Sequence, residues 1–417
     1  MFVPIGNTPR DYAWGSTTAI AEFRGVAPSG GPEAELWLGA HSASPAVVGD
    51  AASVDHADLA AWIAADPDHA LGPELAARGP RLPFLLKLLA AAEPLSLQAH
   101  PSPEQARAGF AREEAAGIPI SAYDRNYRDP FHKPELVVAI SETFDALSGF
   151  RPIDEVHGVL EVLRAADAAS PTPEAGALDL LAGHLADDAP LRDTVEWLLR
   201  DGRGGDTGQA AWVTERVTLL AASDTARRSE YALSFETVGS LAEAYPGDPG
   251  IVISLLLNRV RLRRGEALYL AAGNIHAYLS GLGIELMAAS DNVLRGGLTP
   301  KHIDVTELLD VLDFTPIPPP RLEPEPVGAG VVAFRPDVPD FALYRAEPVT
   351  DAAAVPLTGP AIVLAEGGAL HLRGARGEAT LGRGDAAYVT PDERSLEFTG
   401  DGIAWIATTG DASPSAP

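Results

Sequence analysis

Two imidazoles, a carboxylate and an amide at strand-like spacing are the residues of this chain best suited to chemistry. In Leu95-Ser96-Leu97-Gln98-Ala99-His100-Pro101, apolar and polar side chains alternate with the period of an extended strand. Gln98 and His100, two residues apart, therefore project from one face. Two lone-pair donors aimed into a packed interior need a partner, either each other in a hydrogen-bonded core pair or a shared cation. Glu135 stands at the mouth of the continuous apolar strand Leu136–Ile140, and His276 begins a strand after the turn Gly273-Asn274. All four lie in or at the edge of expected strands, where neighbouring inward faces can gather them. Such a donor set suits a borderline divalent ion, most often zinc, with iron and manganese also compatible. The chain has no cysteine, so the thiolates that close most structural zinc sites are missing. One carboxylate leaves a divalent centre net positive, which fits an open site that polarises a substrate oxygen.

The elements that position these residues follow from length and pattern. The chain has 417 residues, long for one core. Its 46% hydrophobic and 21% charged content describes a globular protein. A net charge of −27 argues against nucleic acid or an anionic membrane as partner, so an anionic ligand needs a local basic cluster. No apolar run is long enough to span a bilayer, and Met1–Arg10 lacks the pattern of an export signal, so a cytoplasmic location is expected.

Along the chain, Glu35–His41 alternates as a strand, with His41 either near a site or structural at the strand end. Residues 56–78 read as one helix. Ser102-Pro103-Glu104-Gln105 has the form of a capping box opening a helix to about Ala116. Ser121–Pro130 is a loop rich in Tyr, Arg and Asp. Residues 152–244 switch to helical spacing, with a glycine-rich turn at Gly202–Gly208 and no cluster suited to chemistry. Ile251–Leu257 reads as a strand, and Arg259, Arg261 and Arg263 as its solvated continuation. Gly283–Met287 is expected as a short strand, Ser290–Leu298 as a loop, and Lys301–Leu312 as a helix capped by Thr299-Pro300. Pro316–Pro326 reads as a linker. Short strands with glycine turns fill 340–410, and the tail Gly410–Pro417 is expected to fray.

The segment from Gly265 resembles the second cupin motif, with Gly265, Gly273 and His276 at its spacing and Ala271 in place of its proline. Taken with Tyr12–Ser16, Glu35–His41, Pro83–Leu88, Leu95–Pro101, His132–Glu135, His276–Tyr278 and above all Ile284–Lys301, the sequence resembles the type I phosphomannose isomerases. The resemblance covers about residues 1–315 and extends loosely to the C-terminal part. Ser42, Phe131 and Ala271 depart from the family pattern without touching a proposed ligand. The resemblance implies a mainly β fold: a cupin (jelly-roll) catalytic domain from 1–150 and 241–325, an α-helical insertion over 151–240, and a degenerate, metal-free cupin-like β domain over 326–417.

It further implies one zinc per chain on Gln98, His100, Glu135 and His276, and interconversion of mannose 6-phosphate and fructose 6-phosphate through an enediol. Arg295 would be catalytic, holding the enediolate or the phosphate. Glu285, between apolar neighbours, is either a general base of raised pKa or a partner fixing the His276 tautomer, with His132 the rival base. Tyr278 should face the same side as His276 and reach a sugar hydroxyl. Lys133 and Asp291 join the catalytic group. Lys301 is either solvated or, with Arg295, a phosphate cradle to which Ser96, Lys87 and Lys133 add; Trp14 joins the substrate-binding set. The expected partner is a small phosphorylated sugar, and the expected state a monomer. A redox-iron cupin or a non-catalytic sugar-binding cupin are the alternatives, separable by oxygen uptake and by assay with a chelator.

Overall fold

The structure, a computed structural model, describes residues 1–49, 54–186, 190–203, 207–348 and 352–410. Residues 204–206 of the glycine-rich turn and 411–417 of the tail lie outside the described residues.

The spine of the first β unit is one 13-residue strand, His276–Ala288. Its first residues pair with Thr143–Phe150 and, at His276, with Gln98; its remainder, from Gly281, pairs with Phe84–Ala91 and Glu135–Ala139. Between the two halves the register slips at Tyr278/Ser280, and Gly281 takes φ 120°. A Cβ at Gly281 would sit 2.9 Å from Phe144, so this corner needs glycine. The bend lets a single strand serve both layers of a jelly roll. The expected short strand Gly283–Met287 is thus the second half of a longer one.

Both outer faces of the jelly roll are covered, which explains why its strands read as unbroken apolar runs. Leu36, Leu86, Leu88, Leu136, Val138, Ile284 and Leu286 pack with Ile362, Leu364, Tyr388 and Trp405 of the C-terminal part. Leu147, Phe150, Ile275, Ala277 and Leu294 pack against the helices that run between Ile153 and Leu255. The C-terminal part is an antiparallel sandwich of an eight-stranded and a four-stranded sheet. The chain's first strand, Phe2–Gly6, joins that larger sheet beside Ala386–Val389, so the proposed boundary between the N- and C-terminal β units is crossed by the N-terminus itself.

Several local expectations give way to competing physics. The segment 56–78 is three short helices, because Pro67 and Pro73 each start a new one, the first capped by the Asp66 carboxylate. Ile251–Leu255 is helical, from Gly250; only Leu257–Arg263 is a strand. Within 290–298, Leu294–Gly297 forms a strand beside Leu97–Ala99. The helix expected from Lys301 runs Val305–Val311 instead, because Asp304 accepts from the Glu307 amide and caps it there. Arg259 and Arg261 are not simply solvated: both donate to Asp145.

Candidate metal centre

Strand Leu97–Ala99 carries Gln98 directly opposite His276 on one side and opposite Arg295 on the other. Residues opposite one another in a ladder share a face, so His276, Gln98 and Arg295 stand abreast, and His100 follows Gln98 by two residues, just beyond the strand's end. Glu135 comes from the other layer, at the head of strand Glu135–Ala139 and opposite Met287. Potential ligating atoms of His100, Glu135 and His276 all lie within 4.8 Å of one another, and all three side chains are buried. Glu135 spans the two rings, Oε1 lying 3.2 Å from His100 Nε2 and Oε2 3.3 Å from His276 Nε2.

The outer ring nitrogens fix the inner ones. His100 Nδ1 lies 2.8 Å from the Asn292 carbonyl and His276 Nδ1 3.0 Å from the Asn274 carbonyl. A carbonyl only accepts, so each Nδ1 carries the proton and each Nε2 presents a lone pair. His100 Nε2, His276 Nε2 and Glu135 Oε2 are nonetheless buried without hydrogen-bond partners. Burial first, and then the Lys133 charge, lower the His100 pKa to about 4, so its ring is neutral at physiological pH. Burial alone would raise the Glu135 pKa, but the Lys133 ammonium, whose Nζ is 2.8 Å away, holds it well below the usual carboxylate range. Convergent lone pairs beside an ionised carboxylate are a cation site, and imidazole nitrogen with carboxylate oxygen suits zinc. The Gly273 turn supports the arrangement from behind: its N–H donates to the His100 carbonyl at 2.9 Å, and φ 78° lets it do so.

A second buried group adjoins this one. Glu285 pairs in register with Lys87, whose ammonium donates to it at 2.8 Å and approaches Glu35 at 3.4 Å. Burial raises the Glu285 pKa; Lys87 opposes the rise, while Glu135 and Glu35 add to it. The Tyr278 hydroxyl is buried without a hydrogen-bond partner, and its pKa is raised by burial and then by the Glu285 charge.

The remaining sequence candidates fall into three places. Asp291 Oδ1 lies 3.3 Å from His41 Nε2, at the rim beside Lys133. His132 is not gathered with the metal ligands: its Nε2 lies 2.8 Å from Asp340 of the C-terminal part. Trp14 stacks on Tyr12 and packs against the jelly-roll interior, and Ser96 is half-buried just before the Gln98 strand. Arg295 and Lys301 do come together, though without a helix N-terminus. Burial and then the Arg128 charge lower the Arg295 pKa; burial, Arg295 and Arg128 lower that of Lys301. Among the described residues none of these three cations has an ion-pair partner. Three cations without ion-pair partners, on a chain of charge −27, can attract an anion locally against the overall field.

Arg128 is the residue that sequence reasoning missed. It sits in an aperiodic loop that Asn292 ties down. The Asn292 amide oxygen accepts from the Arg128 N–H at 2.8 Å, its amide nitrogen donates to the Phe131 carbonyl at 2.8 Å, and its own carbonyl is the one that orients His100.

The description "Phosphomannose isomerase type I, catalytic domain" matches residues 2–153. The chain is similar to mannose-6-phosphate isomerase of Escherichia coli (strain K12), at 38% identity over 400 residues covering 95% of this chain and 96% of the relative. It is 30% identical over 421 residues to the Rattus norvegicus protein of the same name, with 94% of each chain covered. Among solved structures, mannose 6-phosphate isomerase from Salmonella typhimurium bound to fructose 6-phosphate and zinc aligns with a TM-score of 0.85 at 34% identity. That alignment covers 98% of this chain and 99% of the other. Among the described residues no helix is long and apolar enough to cross a membrane.

Proposed function

The chain belongs to the type I phosphomannose isomerase family, and from that premise we propose which of its residues carry each part of the reaction. The enzyme is a zinc-dependent aldose–ketose isomerase that interconverts mannose 6-phosphate and fructose 6-phosphate through an enediol.

His100, Glu135, His276 and Gln98 hold the zinc. The observation that carries this assignment is the set of buried, unpartnered atoms on His100, Glu135 and His276, with both Nδ1 protons already committed to carbonyls. Gln98 joins by its register, opposite His276 and two residues from His100. Bound there, zinc supplies a Lewis acid that stabilises negative charge developing on the substrate oxygens.

Glu285 transfers the proton between carbon 1 and carbon 2. Its burial and raised pKa suit a base that must both take and return a proton, and Lys87 keeps a population ionised. The Tyr278 hydroxyl, kept protonated, donates to a sugar oxygen beside it. His132, paired with Asp340, holds the Lys133–Glu135 segment against the C-terminal part rather than moving the proton. Lys133 and Asp291 set the charge around the metal and the pocket rim, and Trp14 and Ser96 line the approach.

Arg128, Arg295 and Lys301 seat the phosphate. Arg295 shares a sheet face with Gln98 and His276, so the anion and the reacting carbons are held from one row of side chains. A monomeric, cytoplasmic enzyme belongs to the same proposal; the −27 charge sets copies of the chain repelling one another.

The test is zinc content measured beside fructose 6-phosphate formation in a coupled assay, on wild type and on Gln98→Leu, Glu135→Gln and His276→Ala. Each variant should lose metal and turnover together. Full turnover in a preparation shown to be metal-free would remove the assignment.

A further inference from the structure

Leu298 is fully buried and adopts φ 55°, the left-handed region that a leucine occupies only when its surroundings impose it. It lies between Arg295 and Lys301. What imposes the conformation comes from the end of the helical segment. The Asp248 carboxylate, between helix Ala232–Ala244 and helix Gly250–Leu255, accepts from the Leu298 N–H at 3.0 Å and from the Gly250 N–H at 2.8 Å. Arg203 completes the hold, lying 3.4 Å from the other Asp248 oxygen and donating to the Thr299 carbonyl at 3.3 Å. The approach is close enough that a Cβ on Gly250 would fall 2.9 Å from Leu298 Cγ, and one on Gly297 3.0 Å from Asp248 Oδ1.

We infer that Asp248 is a positioning residue for substrate phosphate: by fixing Leu298 in its left-handed turn, it sets Arg295 and Lys301 on one anion. The helical segment then does more than cover the jelly roll. It holds, from outside the sheet, the backbone between the two cations just where the pairing of Gly297 with Leu97 ends. This rests on reading Arg128, Arg295 and Lys301 as the phosphate seat.

The experiment compares Asp248→Ala, Asp248→Asn and Lys301→Ala by steady-state kinetics, competitive inhibition by inorganic phosphate, and zinc content. Asp248→Ala should raise the KM for mannose 6-phosphate and the phosphate inhibition constant together, each about tenfold, with kcat and bound zinc little changed. Asp248→Asn keeps an acceptor oxygen for Leu298 and should recover most of the loss. Should Asp248→Ala not fold, Arg203→Ala, which frees the Thr299 carbonyl, should raise the same two constants by about threefold. If Lys301→Ala raises both constants while the Asp248 and Arg203 variants leave them unchanged, the positioning role is overturned and the seat stands. If Lys301→Ala changes neither, the seat and this role fall together. A fall in kcat and zinc content at constant KM would also overturn it, since that marks general loosening.

Discussion

Lys87 and Glu285 stand directly opposite each other on adjacent antiparallel strands, and the ammonium donates to the carboxylate at 2.8 Å with both side chains nearly sealed from water. Burial lowers the Lys87 pKa, yet Glu285, Glu35 and Glu135 together raise it, so the lysine stays charged. Glu285 feels the reverse: burial raises its pKa and Lys87 pulls it back. The lysine thereby decides how much of Glu285, the proposed base, is ionised at a given pH.

Replacing Lys87 by Met removes the one group that lowers the Glu285 pKa and leaves two buried carboxylates without a counterion. The acid limb of the kcat/KM profile, which reports the base in the free enzyme, should move to higher pH. Activity near neutrality should fall by about a hundredfold and recover in part as pH rises. A profile lowered uniformly, with its limb in place, would show that Glu285 is not the titrating base. Glu285→Gln should abolish the limb, whereas His132→Gln should leave it.

Metal removal has a signature in stability as well as in turnover. Unoccupied lone pairs on His100, Glu135 and His276 stay buried and unsatisfied, which disfavours the folded state. A ligand at about 100 times its Kd adds about 2.7 kcal/mol to a state that alone binds it. Chelation should therefore abolish fructose 6-phosphate formation and lower the melting temperature by about 3 °C, with zinc restoring both. Loss of turnover without any thermal shift would place the ion elsewhere.

Arg128 tests the proposed phosphate seat from the residue that sequence reasoning passed over. Its side chain is exposed, so Arg128→Ala should cost little stability. It should raise the KM for mannose 6-phosphate about tenfold at low salt and less at high salt, because screening weakens the same charge in wild type. An effect independent of ionic strength would mean that Arg128 acts through the loop rather than through its charge.

Strand period and ligand chemistry made the centre legible. His100, Glu135 and His276, which the fold gathers, stand out because each is a polar residue placed in or at the edge of an expected strand, where an inward-facing polar group has to be satisfied by something. What the sequence hid is where side chains overrule local pattern. Thr299-Pro300 looks like a helix start, but the Asp304 carboxylate caps the helix and leaves Lys301 outside it. Leu294–Gly297 reads as a loop because its glycines carry no period; it is a strand because Leu97–Ala99 lies beside it to pair with. Ile251–Leu255 is equally apolar as strand or helix, and packing against its helical neighbours decides. Arg128 had no periodic signal at all, since a loop's geometry here is set by Asn292, distant in sequence.

Asp145 supplies a stability test away from the chemistry. It accepts from Arg259 at 2.9 Å and from Arg261 at 2.8 Å, tying strand Thr143–Phe150 to Leu257–Arg263. Burial would raise its pKa, but the two arginines outweigh burial and bring it down to about 2. An ordinary aspartate in the unfolded chain titrates near 3.9, so the folded state is the one that releases its proton more readily. The resulting stabilisation is complete above about pH 4 and is lost as pH falls from there toward 2. Asp145→Asn should cost about 1–2 kcal/mol at pH 7, allowing for solvent screening of the partly exposed Arg261. That gap, read from urea midpoints, should narrow at pH 3, where wild type has surrendered part of the advantage. A gap of equal size at both pH values would assign the effect to altered packing of the strand pair and not to the charge.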